Sequence, residues 1–249
     1  MRRVLPGGLL LAALCSLPIV PARAQNVDEV IAKYYEAAGG LDKFKAVNAM
    51  RVTGRLTLGQ GMEAPFTRIT KRPKMVRVDF TLQGMTATQA YDGQTAWMFI
   101  PFAGQTAAEV MPADLAKSME EESDFDGPLV DYQSRGIQVE LVGNEPVEGT
   151  NAFKLKVTMK SGDVTYYYLD AEYYLPLRTE AKRTLQGREF NIVTTLGDYK
   201  PEGGLILPHA IQVSGQGPGS QAFVIEKVEI NPSLKDEDFK MPPKPGGDW

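Results

Sequence analysis

The chain has 249 residues, 27 Lys and Arg against 31 Asp and Glu for a formal net charge of −4, one histidine and one cysteine. That length suffices for one large domain with a core of its own, and the acidic balance excludes a nucleic-acid partner and simple adsorption to anionic lipid, both of which need a basic surface. The shortage of Cys and His leaves no material for disulfides, a zinc centre or a Ser-His-Asp triad.

The first 24 residues read as an export address. Arg2 and Arg3 open it, an apolar run from Leu9 to Val20 follows, and Ala22-Arg23-Ala24 is a small-x-small cleavage site. The apolar run is broken by Pro18 and is too short for a membrane-spanning helix of about 20 residues. A mature start at Gln25 and a periplasmic location are therefore expected. Cys15 lies inside this segment behind Ala12-Ala13-Leu14, a poor match to a lipidation box, so no lipid anchor is expected. Cleavage would remove three arginines and leave the mature chain more acidic still.

Asn26-Val27-Asp28-Glu29 fits a capping box. Val27, Val30, Ile31, Tyr34, Tyr35 and Ala38 then recur at helical spacing up to Gly39-Gly40, and a short second helix carries Phe44 and Val47. Ala49–Leu58 is a strand in which Gly54 leaves room for a close neighbour.

Thr67–Phe102 is the stretch on which the rest is organised: three strands joined by tight turns at Gln83-Gly84 and Asp92-Gly93, the latter expected to be of type I′. Along Lys74–Leu82, Val76, Val78, Phe80 and Leu82 alternate with Met75, Arg77, Asp79 and Thr81, the period-2 pattern of an antiparallel strand with one apolar face.

Ala103–Phe125 does not read as strand. Ala107, Met111, Leu115 and Met119 recur every four residues, Pro112 suits the first helical position, and Glu120, Glu121, Glu122 and Asp124 crowd the C-terminal end, where the helix dipole disfavours negative charge. A marginal helix able to move is expected, with its three consecutive glutamates splayed into water.

From Gly127 the chain reads as a strand meander: Ile137-Val139-Leu141, Phe153–Met159, Val164–Tyr168, Leu175–Lys182, Glu189–Tyr199, Leu205–Val213 and Gln221–Ile230, followed by a Pro/Gly-rich tail over 242–249. The expected fold is mainly β with a few helices, a strongly curled or half-closed antiparallel sheet of about ten strands in a single domain over 25–241.

No catalytic constellation emerges. His209, between Pro208 and Ala210, has no companion and is expected to be structural, and no phosphate loop is present. No enzyme, cofactor or metal is expected. What remains is an apolar sheet face with few helices to cover it, the usual mark of a binding site. Met85, Met98, Met111, Met119 and Met159 would suit a ligand of variable shape.

Thr70-Lys71-Arg72-Pro73, the alternating strand after it, and Tyr91-Asp92-Gly93-Gln94-Thr95-Ala96-Trp97 leading to Ile100-Pro101-Phe102 together resemble the LolA/LolB-like family of periplasmic lipoprotein carriers over Ala49 to Met119. The resemblance implies an unclosed half-barrel whose concave face is covered by helices, enclosing a cavity for acyl chains. It implies a lid latch at Arg72, whose guanidinium would hold lid-helix carbonyls. On this reading Val76, Val78, Phe80, Leu82, Met98, Met111, Leu115 and Met119 bind ligand. The partners would be lipid or lipoprotein acyl chains, an inner-membrane donor and an outer-membrane acceptor, with the chain acting as a monomer. An envelope-stress sensor, or a ligand-free structural domain, would use the same sheet.

Overall fold

The computed structural model describes residues 26–185, 187–215 and 219–244. The export segment with Cys15 and the end of the tail lie outside the described residues. Helix α1 (Val27–Ala37) starts where expected, with Asn26 Oδ1 accepting the Glu29 amide at 2.8 Å. Gly39 and Gly40 stop it, both at positive φ. Helix α2 (Leu41–Ala46) follows.

Thirteen strands then form one antiparallel sheet: β1 (Ala49–Leu58), β2 (Met62–Lys71), β3 (Met75–Leu82), β4 (Met85–Tyr91), β5 (Ala96–Phe99), β6 (Glu109–Val110), β7 (Gln138–Val147), β8 (Thr150–Thr158), β9 (Val164–Asp170), β10 (Pro176–Leu185), β11 (Arg188–Glu202), β12 (Leu205–Ser214) and β13 (Gln221–Ile230). Helix α3 (Ala113–Ser123) lies between β6 and β7 in the chain.

The order across the sheet is β6-β5-β4-β3-β2-β1-β13-β12-β11-β10-β9-β8-β7. Two meanders are thus sewn together by the pairing of β1 with β13. Edges remain at β6 and β7, so the sheet is an unclosed half-barrel, with thirteen strands rather than about ten.

Two details differ from expectation for local reasons. The Thr67–Phe102 stretch holds parts of four strands, because the chain also turns at 72–74, between β2 and β3; at the expected Asp92-Gly93 turn, Asp92 Oδ1 accepts the amides of Gln94 and Thr95 at 2.9 and 2.7 Å. Only Gly93 takes positive φ there, as in a II′ turn, whereas Gln83 and Gly84 both do, which is the I′ pattern. Second, Glu109–Val110 is strand, pairing with Trp97–Met98 at the edge of the sheet. The helix consequently begins only at Ala113, with Pro112 as its cap.

Curvature follows from the contacts of α3, which touches β3, β4 and β5 and also β10. β3 and β10 stand six strand spacings apart, about 29 Å on a flat sheet at about 4.8 Å per strand. The 11 residues of α3 span only about 16 Å. The sheet must curl for one short helix to meet both.

Packed cores occupy the two ends of the inner face. At one end α1 and the segment before β7 bury Val30, Ile31, Tyr35, Leu129 and Val130 on Phe153, Leu155, Val157 and Leu169. At the other, α3 packs on β3–β5. The outer face is strapped by the chain after β13, where Phe239 is fully buried and its carbonyl accepts the Trp97 indole N–H at 2.8 Å.

Gly54 shows how closely the seam is packed. The register of β1 on β13 shifts between Thr53 and Gly54, and a Cβ at Gly54 would stand 2.0 Å from the Val224 carbonyl oxygen and 3.0 Å from the Phe66 ring. Gly54→Ala is expected to destabilise the fold by about 1–3 kcal/mol, the usual cost of overpacking against backbone. Thermal or urea unfolding checks this, and an unchanged midpoint would refute it.

Candidate functional site

Strand register decides which side chains share the inner face, because directly opposed residues in antiparallel strands point to the same side. From Val78 the row runs through Arg68 and Val52 to Val228. From Phe80 it runs through Phe66 and Gly54 to Ile225. Leu56 leads on through Phe223 and Ile211 to Leu196, and two residues from Leu196 the row Thr194, Thr179, Tyr167, Leu155 reaches the α1 core. One continuous face therefore joins both packed ends.

The structure brings six of the eight expected ligand residues together. Val76, Met111 and Met119 are buried in the α3 core, with Val78, Met98 and Leu115 half-buried around them. They form the seat of α3 on the sheet. Phe80 instead meets Phe102, ring centroids 5.8 Å apart, and Leu82 pairs with Met85 at the β3–β4 hairpin. Met85 and Phe102 remain exposed there. The methionines do not form one lining: Met159 belongs to the α1 core.

Between the two packed ends lies an uncovered floor. Val52, Leu196, Ile211, Phe223, Ile225 and Val228 are all half-buried and stand outside the core clusters. They were missed at the sequence level because their strands alternate less cleanly than β3, and because the pairing of β1 with β13, which creates the floor, joins the two ends of the chain.

Helix α3 is held across this trough by charge. Glu120 and Glu122 face water as expected and Glu121 is half-buried, and the same splaying sends each to a different cation. Glu120 meets Lys74 of the β2–β3 turn at 3.3 Å, Glu121 meets Arg183 of β10 at 3.2 Å, and Glu122 meets Arg68 of β2 at 3.1 Å. Asp124 pairs with Arg135, and Lys117 with Asp163 at 2.6 Å. Adjacent glutamates thus reach opposite walls of the trough. The Lys117 ammonium, then the Ser161 hydroxyl, holds the Asp163 carboxyl below its ordinary value.

Arg72 sits at the close of β2 and binds two elements at once. Its Nε donates to the Val47 carbonyl at 2.7 Å and its Nη2 to the Phe44 carbonyl at 3.5 Å, at the end of α2, where Phe44 O also accepts the Val47 amide. Its Nη1 donates to Asp126 at 2.5 Å, and its guanidinium lies 4.7 Å from the centre of the Phe125 ring. The carbonyls it holds are therefore those of α2, and its tie to the lid is a carboxylate just beyond α3. The residue that does reach an α3 carbonyl is Arg68, whose Nη2 donates to Glu122 O at 3.0 Å. Two basic residues four apart on one strand end were the available signal.

His209 is 3% exposed, with Nδ1 at 3.1 Å from the Leu207 carbonyl and Nε2 at 3.1 Å from Glu202. Both ring nitrogens are engaged in local structure. Among the described residues no cluster of three or more His, Cys, Asp or Glu is placed to hold a metal ion. No described helix is long and apolar enough to cross a membrane.

The architecture is that of a LolA-like fold. The chain is similar to the crystal structure of a LolA superfamily protein from Nitrosomonas europaea, with a TM-score of 0.58 and 13% identity over 87% of this chain and 98% of that one. A DUF1329 family protein from Desulfovibrio piger matches with a TM-score of 0.60 and 13% identity, over 87% and 98% of the two chains. A structure described as an outer membrane lipoprotein-sorting protein domain, from Vibrio parahaemolyticus, matches with a TM-score of 0.55 and 14% identity, over 84% and 97%. No family model and no curated protein sequence matches the chain.

Two outcomes test the charged suspension of α3. Raising ionic strength should speed amide exchange in 113–123 while leaving the β1–β13 seam unchanged, because exposed pairs are screened by salt; equal response of both would refute it. For Asp163, a carboxyl held low contributes stability above its unfolded pKa of about 3.9 and loses it as pH falls through the lower folded value. Lys117→Ala should move the Asp163 titration, followed by carboxyl NMR, up toward the ordinary range. An unmoved titration would mean that the pair does not set it.

Proposed function

We propose that this chain is a periplasmic binding and carrier protein that holds acyl chains of lipids or lipoproteins in the trough beneath α3. It would act as a monomer, accepting cargo from an inner-membrane donor and passing it to an outer-membrane acceptor. The observation that carries the reading is the half-buried apolar floor, continuous across β1, β13, β12 and β11 and roofed only where α3 crosses. The likeness in fold to a lipoprotein-sorting domain supports it. Binding rather than catalysis is proposed, since the floor between the two packed ends is lined by Val52, Leu196, Ile211, Phe223, Ile225 and Val228.

The magnitudes favour such a device. Burying one methylene is worth about 0.8 kcal/mol, so eight of them gain about 6 kcal/mol. Each exposed ion pair that holds α3 contributes about 0–1 kcal/mol. An acyl chain that covers the apolar seat of α3 as the helix lifts replaces the burial lost there, and the cost then left to offset is that of the ion pairs. Val76, Val78, Met98, Met111, Leu115 and Met119 would be uncovered as α3 lifts, with Phe80 and Leu82 at the hairpin end. Arg72 would act as a latch through Asp126, and Arg68 beside it through Glu122.

Native mass spectrometry of protein purified from the periplasm should show bound lipid, and the stripped protein should take up a fluorescent fatty acid. A clean apo mass with no uptake would overturn the reading. Because the latch stabilises the closed, empty state that competes with ligand, Arg72→Leu should retain fatty acid about two- to tenfold more tightly. Unchanged retention would remove Arg72 from the mechanism.

A further inference from the structure

The inner face is not uniformly apolar. A polar stripe crosses it where the floor meets the α1 core: Tyr167 on β9 stands opposite Thr179 on β10, and Thr179 opposite Thr194 on β11. All three are half-buried. Tyr34 comes down on the same region from α1, packed with Tyr167 against the α1 core. Among the described residues, neither the Tyr34 nor the Tyr167 hydroxyl makes a hydrogen bond, nor do the hydroxyls of Thr179 and Thr194. Tyr199 nearby is satisfied, donating to the Pro176 carbonyl at 2.5 Å.

Neither hydroxyl is sealed off from the trough, so each is placed to meet water or a ligand there. Burial pushes the Tyr34 hydroxyl up to about 12, and burial together with the neighbouring Tyr34 raises Tyr167 further. Both therefore stay protonated and remain donors. Arg183 completes the set. It follows Ala181 by two residues on the inner face, and Ala181 stands opposite Thr165, whose hydroxyl accepts from Arg183 Nη2 at 3.4 Å. Its other partners are Glu121 and the Lys182 carbonyl, and its Nε–H makes no hydrogen bond among the described residues. The guanidinium edge can only donate, while the two phenols, kept protonated, and the two threonines can donate or accept, so the lining is rich in donors. Such a lining matches an acceptor without a proton of its own.

We propose that this stripe receives the ester carbonyl of an acyl lipid, with Tyr34 and Tyr167 donating to it and Arg183 beside them, while the attached chain lies over Leu196, Ile211 and Phe223. The assignment rests on the acyl-binding function proposed above and adds a polarity to it: head toward α1, tail toward the β1–β13 seam. From Tyr167 to Thr194 is two strand spacings, about 10 Å, room for a glycerol ester. Arg183 also joins the site to the lid. A carbonyl that competes for its guanidinium weakens the Glu121 pair on the same side chain, so seating the head loosens one of the ties of α3.

A matched pair of probes tests this: 1-monooleoylglycerol and its ether analogue, which differ only in the carbonyl. Affinities are read by displacement of a fluorescent fatty acid from the full chain. The wild type should prefer the ester about tenfold, since a site built to hydrogen-bond a group discriminates against the analogue lacking it. Tyr34→Phe with Tyr167→Phe, which keeps both rings in place, should bring the ratio to within about twofold by weakening the ester more than the ether. Should that variant not fold, Thr179→Val with Thr194→Val should lower the ratio in the same direction. Equal wild-type affinity for both probes, or a tenfold ratio that survives the phenylalanines, would overturn this assignment while leaving acyl binding intact. Failure of the wild type to bind either probe or the fatty acid would overturn both.

Discussion

Two adjacent carboxylates hold this molecule in its working shape. Glu120 reaches Lys74 in the β2–β3 turn on one wall of the sheet and Glu121 reaches Arg183 of β10 on the other, five to six places away in the sheet order. A helix that packed on β3–β5 alone would leave the far wall free to spread. The sheet has no closing hydrogen bonds between β6 and β7, so its curvature depends on side chains that span the opening. Exposed charge pairs are individually weak, and the proposed opening of the trough by a ligand that buries hydrocarbon rests on that weakness.

The four basic residues that meet this acidic run come from three different places in the chain: Arg68 and Lys74 near the β2–β3 turn, Arg135 ahead of β7, and Arg183 on β10. This explains an arrangement that is unfavourable when the helix is taken alone. Negative charge at a helix C-terminus opposes the dipole, and α3 has no basic residue in its last turn. The intrinsic penalty of a few tenths of a kcal/mol per residue is offset only when the sheet is curled and the helix seated. Local disfavour and tertiary compensation together make the helix dependent on its surroundings.

Much of the fold could be read from pattern. The alternation of Val76 to Leu82, the glycine turns of the second half and the capped first helix all correspond to elements of the structure, because each is dictated by neighbours within a few residues. The face on which α3 sits was legible for the same reason, its apolar positions recurring every four residues. The rest depended on long-range pairing. Nothing local says that β1 lies beside β13, so the floor of Val52, Phe223 and Val228 was invisible. Nothing local says that a glutamate run read as solvent-facing will find three cations. Arg72 was singled out by its family-like context, whereas Arg68 carried no such context, and only the folded arrangement shows that it holds the helix carbonyl. Tyr34 and Tyr167 read as ordinary core aromatics, since unpaired hydroxyls become visible only when all their neighbours are placed.

The seam between β1 and β13 has a consequence for how the molecule comes into being. Its central strand pair joins Met50 to Ile230, so the middle of the sheet is made from the two ends of the chain. Each meander can assemble from near neighbours, but the groove between them exists only after the last strand has arrived and docked. Loop closure over so long a separation is slow compared with hairpin formation. Until β13 arrives, a chain emerging from its N-terminus holds at most two half-sheets with exposed flanks. The floor between them is the final part of the sheet to form, and a truncation that removes the last strand would leave two platforms with no trough between them.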